Sequence, residues 1–249
     1  MINIGLIDFF KLLNYDWKAD ASTFKNICYY TKSRVNNNKK NEDFDFGYGM
    51  EQPFVLKAIA QYFQSKSFFE IGTGRGTGCY AVATAENIKK LSTVDIVPHR
   101  LKKNEAIGYE PAYVSNLDLF NMIESNGKQN IEFYERNQYT DIIKNKPPGG
   151  YDLFFIDGNH TDPDVISEDF LMCKLMFGNN PIIVWDDYYP DKFAIKQVVE
   201  TTLMQNKDLR AFVVNIRGHL FSEKSPEENC GMVFMAKEKT YENILSKSK

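Results

Sequence analysis

Residues 68–76 read Phe-Phe-Glu-Ile-Gly-Thr-Gly-Arg-Gly, with glycine at positions 72, 74 and 76. This stretch joins Ser67–Ile71, typical of a short buried strand, to Cys79–Ala85, whose small residues are typical of a closely packed helix. Glycine permits a positive φ and lets a ligand approach the backbone, and the start of a helix offers unpaired N–H groups. The turn therefore predicts a ligand-binding loop. Dinucleotide-binding proteins share the pattern, and a tight turn without a ligand is the alternative.

Two carboxylates near this loop narrow the choice of ligand. Glu70 ends the first strand, where it would repel a pyrophosphate and suits the amino group of a methionine moiety. Asp95 lies at the end of the next predicted strand, Leu91–Ile96, where an acid accepts hydrogen bonds from ribose hydroxyls. Both NAD and S-adenosylmethionine contain a ribose, and a helix cap or turn is the alternative role of Asp95. Together the two acids favour S-adenosylmethionine.

From residue 50 onward, strand and helix patterns alternate, which favours crossover connections and a mainly parallel sheet. Tyr151–Ile156 and Pro181–Trp185 are nearly continuous in apolar residues, as buried parallel strands are. Between them, Asp162–Pro163 is typical of an N-cap followed by the first helical residue. The last predicted strands, Ala211–Ile216 and Met232–Ala236, have no helix-length segment between them and should therefore pair antiparallel.

Acidic side chains follow two of these strands. Asp157 comes directly after Tyr151–Ile156, and Asp186 and Asp187 come directly after Pro181–Trp185. The carboxyl ends of parallel strands meet where ligands bind, and three carboxylates there repel one another unless they are protonated or neutralised. A set of oxygen ligands suits Mg²⁺, Ca²⁺ or Mn²⁺. The sequence predicts either a divalent metal site or three acids that cap the elements after the strands.

Two further positions at this edge are candidate site residues. His160, in the loop after Asp157, is a candidate general base, as is Asp157 itself; a histidine that orients a substrate or only supports the loop is the alternative. Asn137 follows the predicted strand Ile131–Glu135, whose tip lies near the adenine in this topology. Asn137 or Gln138 would then bond the edge of the base, unless this turn is only solvated.

Four motifs together resemble those of the class I S-adenosylmethionine-dependent methyltransferases. They are the glycine turn at 69–76, Thr-Val-Asp at 93–95, Phe-Ile-Asp-Gly-Asn-His at 155–160 and Val-Trp-Asp-Asp-Tyr at 184–188. The last two resemble the subgroup of macrocin- and novobiocin-type sugar O-methyltransferases and cephalosporin-hydroxylase-like proteins. The resemblance covers roughly residues 50–240. It implies an α/β, Rossmann-like, seven-stranded sheet that is mainly parallel, with an antiparallel last strand and helices on both faces.

The resemblance also implies roles for the site residues. S-adenosylmethionine would be held by Glu70, Gly72, Thr73, Gly74, Gly76, Asp95, Asn137 and Asp157. In the metal-dependent members, the positions of Asp157, Asp186 and Asp187 bind a divalent cation, so Mg²⁺ or another divalent cation is the second expected cofactor. The metal would hold substrate oxygens and lower the pKa of the hydroxyl that attacks the methyl group, with Asp157 or His160 taking the proton.

The expected activity is therefore methyl transfer to a hydroxylated small molecule, such as a sugar or a glycosylated metabolite. Three alternatives stay open at this point: a metal-independent N-methyltransferase, an NAD-linked oxidoreductase with the same fold, and a binding module without catalysis.

Length and composition limit which partners and which domain division the chain can have. The chain of 249 residues has a net charge of −3 and no dominant basic run, which argues against nucleic acid as a partner. No stretch has the length of a signal segment or membrane span, so we expect a cytoplasmic protein. Residues 50–249 are expected to form the methyltransferase domain. Residues 1–49 would be an extension with short helices at Leu6–Leu13 and Phe24–Tyr30, which either cap the site, pack at an oligomer interface or only pack on the core.

Overall fold

The computed structural model describes residues 1–32, 44–47, 49–102, 114–221 and 230–246. The strands in these ranges are β1 Ile2–Gly5, β2 Ser67–Ile71, β3 Lys90–Asp95, β4 Ile131–Glu135, β5 Tyr151–Ile156, β6 Phe177–Tyr188, β7 Leu209–Asn215 and β8 Gly231–Lys237. The helices are α1 Leu6–Leu12, α2 Trp17–Lys32, α3 Gln52–Tyr62, α4 Thr77–Ala83, α5 Asn116–Met122, α6 Tyr139–Asn145, α7 Pro163–Lys174, α8 Ile195–Gln205 and α9 Glu238–Leu245.

The strands form one sheet in the order β1-β7-β8-β6-β5-β2-β3-β4. β8 runs antiparallel to both of its neighbours, β6 and β7, whereas the other pairings are parallel. This arrangement confirms the predicted α/β sheet with an antiparallel last strand. The carboxyl ends of β2, β3, β5 and β6 therefore lie along one edge.

The predicted strand number is wrong, because the described sheet has eight strands rather than seven. The additional strand is β1, which pairs in parallel with β7, Ile2 opposite Phe212. β1 has four residues, of which the first two are exposed, so it contains too few positions for an alternating pattern to stand out. The N-terminal segment thus contributes a strand to the main sheet, while the predicted domain boundary at residue 50 stays a prediction.

Helices cover both faces of the sheet, as predicted. Successive residues of β5 point to opposite faces: Leu153 and Phe155 pack in one core with α1–α4, and Phe154 and Ile156 pack in the other with α6–α8. Among the described helices, none is both long and apolar enough to cross a membrane.

The N-terminal helices lie against the glycine turn. Phe24 of α2 is fully buried, with its ring centroid 4.6 Å from that of Phe54 on α3. At the end of α2, the carbonyl oxygen of Tyr30 accepts a hydrogen bond from Arg75 Nη2 at 2.8 Å. The predicted helical segments before residue 50 are therefore present, and the second supports the loop that follows β2.

Candidate active site

The glycine turn adopts backbone conformations that favour glycine. Gly72, Gly74 and Gly76 have φ values of 90°, 51° and 81°. A Cβ at position 72 would lie 1.9 Å from the carbonyl oxygen of Asp157, so no side chain fits there. The Asp157 amide also donates to the Ile71 carbonyl oxygen at 2.8 Å. The turn after β2 and the loop after β5 are consequently packed backbone to backbone.

Asp95 fixes the other side of the turn. Its Oδ2 accepts a hydrogen bond from the Gly74 amide at 2.9 Å, and its Oδ1 accepts one from the Val97 amide at 2.9 Å. Next to it, Thr73 Oγ1 lies 2.6 Å from Thr93 Oγ1. Asp95 therefore stabilises the turn through both carboxylate oxygens, while its predicted contact with a ribose stays a prediction.

A cavity of about 390 Å³ opens at the carboxyl ends of β2, β3 and β5. Its volume lies within the usual range of small-molecule sites. Of the predicted cofactor residues, Gly72, Asp95 and Asp157 line it. The full set of described lining residues is Ile71, Gly72, Val94, Asp95, Ile96, Arg136, Tyr139, Asp157, Gly158, Asn159, Val165 and Glu168.

Glu70 lies behind the turn and is not among these lining residues. It is 1% exposed, and its Oε2 accepts a hydrogen bond from Thr93 Oγ1 at 2.5 Å. Burial raises the pKa of Glu70 to about 8, with Asp95 adding to the rise and the Thr93 hydrogen bond opposing it. Because the carboxyl is buried and outside the lining, it does not present to the cavity the charge expected to meet a methionine amino group.

The turn after β4 contributes different residues from the one predicted. Asn137 lies in the single 3₁₀ turn Arg136–Gln138 and is exposed, whereas Arg136 and Tyr139 line the cavity. Gln138 is occupied with the turn itself, since its Oε1 accepts from the Glu135 amide. The sequence indicates the correct turn, but a turn of three residues is too short for a periodic pattern to show which side chains face the cavity.

At the neighbouring strand ends, Asp157 and Asp187 gather around His160. One potential ligand atom from each of the three residues lies within 4.8 Å of the others. His160 Nδ1 is 3.5 Å from Asp187 Oδ2, and Arg217 Nη2 donates to Asp187 Oδ1 at 2.5 Å. Asp187 has a φ of 51°, at an irregularity in the pairing of β6 with β8.

Asp186 is not part of this group of three, and its place among the predicted metal ligands stays a prediction. It is 7% exposed, and its Oδ2 accepts a hydrogen bond from Gln52 Nε2 at 2.5 Å. The same Gln52 nitrogen is 3.4 Å from Asp157 Oδ2. Asp186 therefore contacts Gln52, whereas Asp187 lies beside His160 and Arg217. His160 takes the third place.

Gln52 and Arg217 had no signal in the sequence. Gln52 lies at the start of α3 and Arg217 lies after β7, so both reach the acids through the sheet topology. Neither residue lies close enough in the sequence to Asp157 or Asp187 to form a recognisable motif with it.

Comparison with known proteins agrees with this geometry. The family described as "Methyltransferase domain" matches residues 69–188. An uncharacterized protein of Acanthamoeba polyphaga mimivirus is 29% identical over 136 residues, which cover 54% of this chain and 58% of that protein. The chain thus spans little more than half of this relative's length.

Two solved structures share the fold. The O-methyltransferase TomG from Streptomyces achromogenes, in complex with S-adenosylmethionine, has a TM-score of 0.53 at 16% identity, over 93% of this chain and 95% of TomG. An O-methyltransferase from Bacillus cereus, in complex with S-adenosylhomocysteine, has a TM-score of 0.54 at 14% identity, over 87% of this chain and 91% of that one. The chain therefore has the α/β fold of the class I methyltransferases. Within it, residues 69–188 are the part that is similar to the methyltransferase-domain family.

Proposed function

We propose that this protein transfers a methyl group from S-adenosylmethionine to a hydroxyl oxygen of a small molecule. The proposal rests on the position of the cavity and of the group formed by Asp157, His160 and Asp187, which lie next to each other at one edge of the sheet. The cavity lined by Gly72, Asp95 and Asp157 adjoins, through Asp157, the group of His160 and Asp187. A donor in the cavity would then lie beside a base. The two O-methyltransferases of similar fold, one bound to S-adenosylmethionine and one to S-adenosylhomocysteine, support this choice of donor.

In the proposed reaction, the hydroxyl oxygen attacks the methyl carbon in line with the sulfur. The C–O bond forms as the C–S bond breaks, the sulfonium becomes the neutral thioether of S-adenosylhomocysteine, and the hydroxyl proton passes to His160. Asp187 lies 3.5 Å from His160 Nδ1, and a proton on Nδ1 would leave Nε2 as the accepting atom. Arg217 anchors Asp187 from its other oxygen. The chain's own residues thus provide a base and its support.

A divalent cation is the second component of the proposal. The carboxylates of Asp157 and Asp187 have oxygen atoms within 4.8 Å of each other and of a His160 ring nitrogen, and oxygen ligands suit Mg²⁺ or Mn²⁺. Asp157 and Asp187 would hold the ion, with water or acceptor oxygens as further ligands, while Asp186 would not and His160 would remain the base. When bound, the ion would supply Lewis acidity toward the acceptor hydroxyl.

We further propose a polyhydroxylated acceptor such as a sugar or a glycosylated metabolite. The edge beyond the cavity offers hydrogen-bonding groups from Gln52, Asp157, His160 and Arg217. The Tyr189 ring lies beside them, with the Arg217 guanidinium 5.0 Å from its centroid. Polar groups set against an aromatic face suit a ligand with several hydroxyls.

Calorimetry with S-adenosylhomocysteine and with NAD tests the donor. We expect S-adenosylhomocysteine to bind and NAD not to bind, and the opposite pattern would overturn the proposal in favour of an oxidoreductase. A methylation assay with labelled S-adenosylmethionine and a panel of hydroxylated acceptors then tests the reaction. Adding a chelator should abolish the signal; full activity with the chelator would contradict the cation.

Two adjacent acids provide a matched test of the cation set. We expect Asp187→Asn to weaken Mn²⁺ binding by roughly tenfold or more, because a ligand is lost, whereas Asp186→Asn leaves every proposed ligand in place and should weaken it less. Electron paramagnetic resonance of free Mn²⁺ measures both without relying on activity. Equal losses in the two variants, or a larger loss in Asp186→Asn, would count against the assignment.

A further inference from the structure

A buried ion pair forms one wall of the cofactor cavity. Asp169 of α7 is 0% exposed, and its Oδ1 lies 3.0 Å from Arg136 Nη2. Among the described residues, Arg136 supplies the polar contact that this carboxylate makes. Arg136 is itself partly exposed and lines the cavity. The charge of Asp169 is therefore balanced by a residue that faces the ligand space.

The surroundings of Asp169 give the pair little freedom. A Cβ on Gly158 would lie 2.8 Å from Asp169 Oδ2, so the carboxylate is packed directly under the loop that follows β5. A buried carboxylate without its cation is strongly unfavourable, which ties Arg136 to this position. Glu168, the preceding residue, is 70% exposed and lies 3.9 Å from the same Arg136 nitrogen, so it adds little.

The guanidinium held in this way has a defined shape. It is planar, carries several N–H donors, and stacks on flat aromatic rings. Tyr139, whose ring centroid is 6.0 Å from Arg136 Cζ, lines the same end of the cavity. Asp95 and Gly72 belong to the part of the lining that comes from the turns after β2 and β3. A nucleoside with its ribose toward Asp95 would bring its base toward Arg136.

We propose that Arg136 is a specificity-determining residue that receives the base of the nucleoside cofactor, and that Asp169 is the residue that positions it. This inference rests on the proposed S-adenosylmethionine function, and it assigns a task to a buried acid that the methyl transfer itself does not use.

The test uses two probes in calorimetry, S-adenosylhomocysteine and 5′-methylthioadenosine. Both contain the base and the ribose, but the second lacks the amino-acid part. Arg136→Lys keeps the positive charge beside Asp169, so the fold is maintained, and it removes the planar face. We expect its Kd to rise about tenfold, by the same factor for both probes.

Asp169→Asn should weaken both probes in the same way, because Arg136 is released from its position. Asp164→Asn is the matched control, since it removes an exposed acid of the same helix that does not line the cavity, and it should leave both Kd values within about twofold of the wild type. Thermal unfolding of the free variants shows separately whether the fold is retained.

Three results would overturn the inference. Variants of Arg136 and Asp169 that bind both probes as the wild type does would remove the role of the pair. A loss confined to S-adenosylhomocysteine would place Arg136 at the amino-acid end instead. A wild-type protein that binds neither probe would overturn the proposed function together with this inference, which distinguishes the two failures.

Discussion

At the scale of single residues, Gly72 has the tightest requirement in the site. Its φ is 90°, and the space where a Cβ would stand is filled by the carbonyl oxygen of Asp157. Gly149 has almost the same φ, 88°, but nothing lies within 4 Å of its Cβ position. The two glycines therefore separate the cost of backbone strain from the cost of overlap.

We expect Gly149→Ala to lower the free energy of unfolding by about 1 kcal/mol, from strain at positive φ alone. Gly72→Ala should lower it by about 3 kcal/mol or more, because the overlap also pushes the loops after β2 and β5 apart. It should also weaken S-adenosylhomocysteine binding at least tenfold. Urea unfolding and calorimetry measure the two effects. Similar losses of stability in both variants would show that the contact with Asp157 is unimportant.

At the scale of elements, the sequence predicted the longer strands and helices, but not the short strand β1 or the contacts between elements. β2, β4 and β5 were predicted with their observed bounds, and the N-cap at Asp162 was correct: its Oδ1 accepts from the Asp164 amide at 3.0 Å. Each of these has a local cause within a few residues. The short strand β1 lacked the length to show a period.

For the site as well, the sequence indicated the backbone positions but not the side-chain contacts. The sequence indicated the correct strand ends, because Asp95 lies near the end of one predicted strand and Asp157 follows another directly. It could not indicate that Gln52 would donate a hydrogen bond to Asp186, or that Arg217 would donate one to Asp187. These contacts depend on how α3 and the residues after β7 pack against the edge of the sheet. Side-chain direction at strand ends and in single turns is set by tertiary contacts, which a linear pattern does not contain.

The packing of α2 gives a prediction at this scale. Because Phe24 is buried against Phe54, we expect Phe24→Ala to destabilise the whole protein by about 3–5 kcal/mol in a single transition. Calorimetric unfolding measures this, with Leu171→Ala as the control, since Leu171 is 55% exposed and its truncation should cost less than about 0.5 kcal/mol. A separate early transition with an unchanged main one would instead indicate that the N-terminal segment is an independent cap.

At the scale of the whole molecule, buried acids make stability depend on pH. Burial raises the pKa of Glu70 to about 8 and that of Asp169 to about 6, where Arg136 opposes the rise. The folded state then binds more protons than the unfolded chain above the ordinary carboxyl pKa. The stabilisation from the protonated forms is complete at low pH and is lost as the pH rises through about 6 for Asp169 and about 8 for Glu70.

We therefore expect the free energy of unfolding to fall from about pH 4 to about pH 8 and then to level off, and Glu70→Gln to remove the part of the fall between about pH 6 and pH 8. Urea unfolding at a series of pH values compares this variant with the wild type and with Glu86→Gln, which changes an exposed acid. Parallel curves for the wild type and Glu70→Gln would mean that the Glu70 carboxyl is ionised in the folded protein at neutral pH.

The single antiparallel strand has a consequence for how such a protein can diversify. β8 pairs antiparallel with β6 and β7, with Gly231 opposite both Tyr188 and Asn215. The connection from Asn215 to Gly231 therefore leaves the sheet and returns to it at the same edge, the one that carries Asp187. The parallel strands differ, because each connection between them must cross to the opposite edge. A change in the length of the chain between Asn215 and Gly231 would thus alter no crossover, so such a protein can vary at the edge that carries Asp187 while its sheet stays the same.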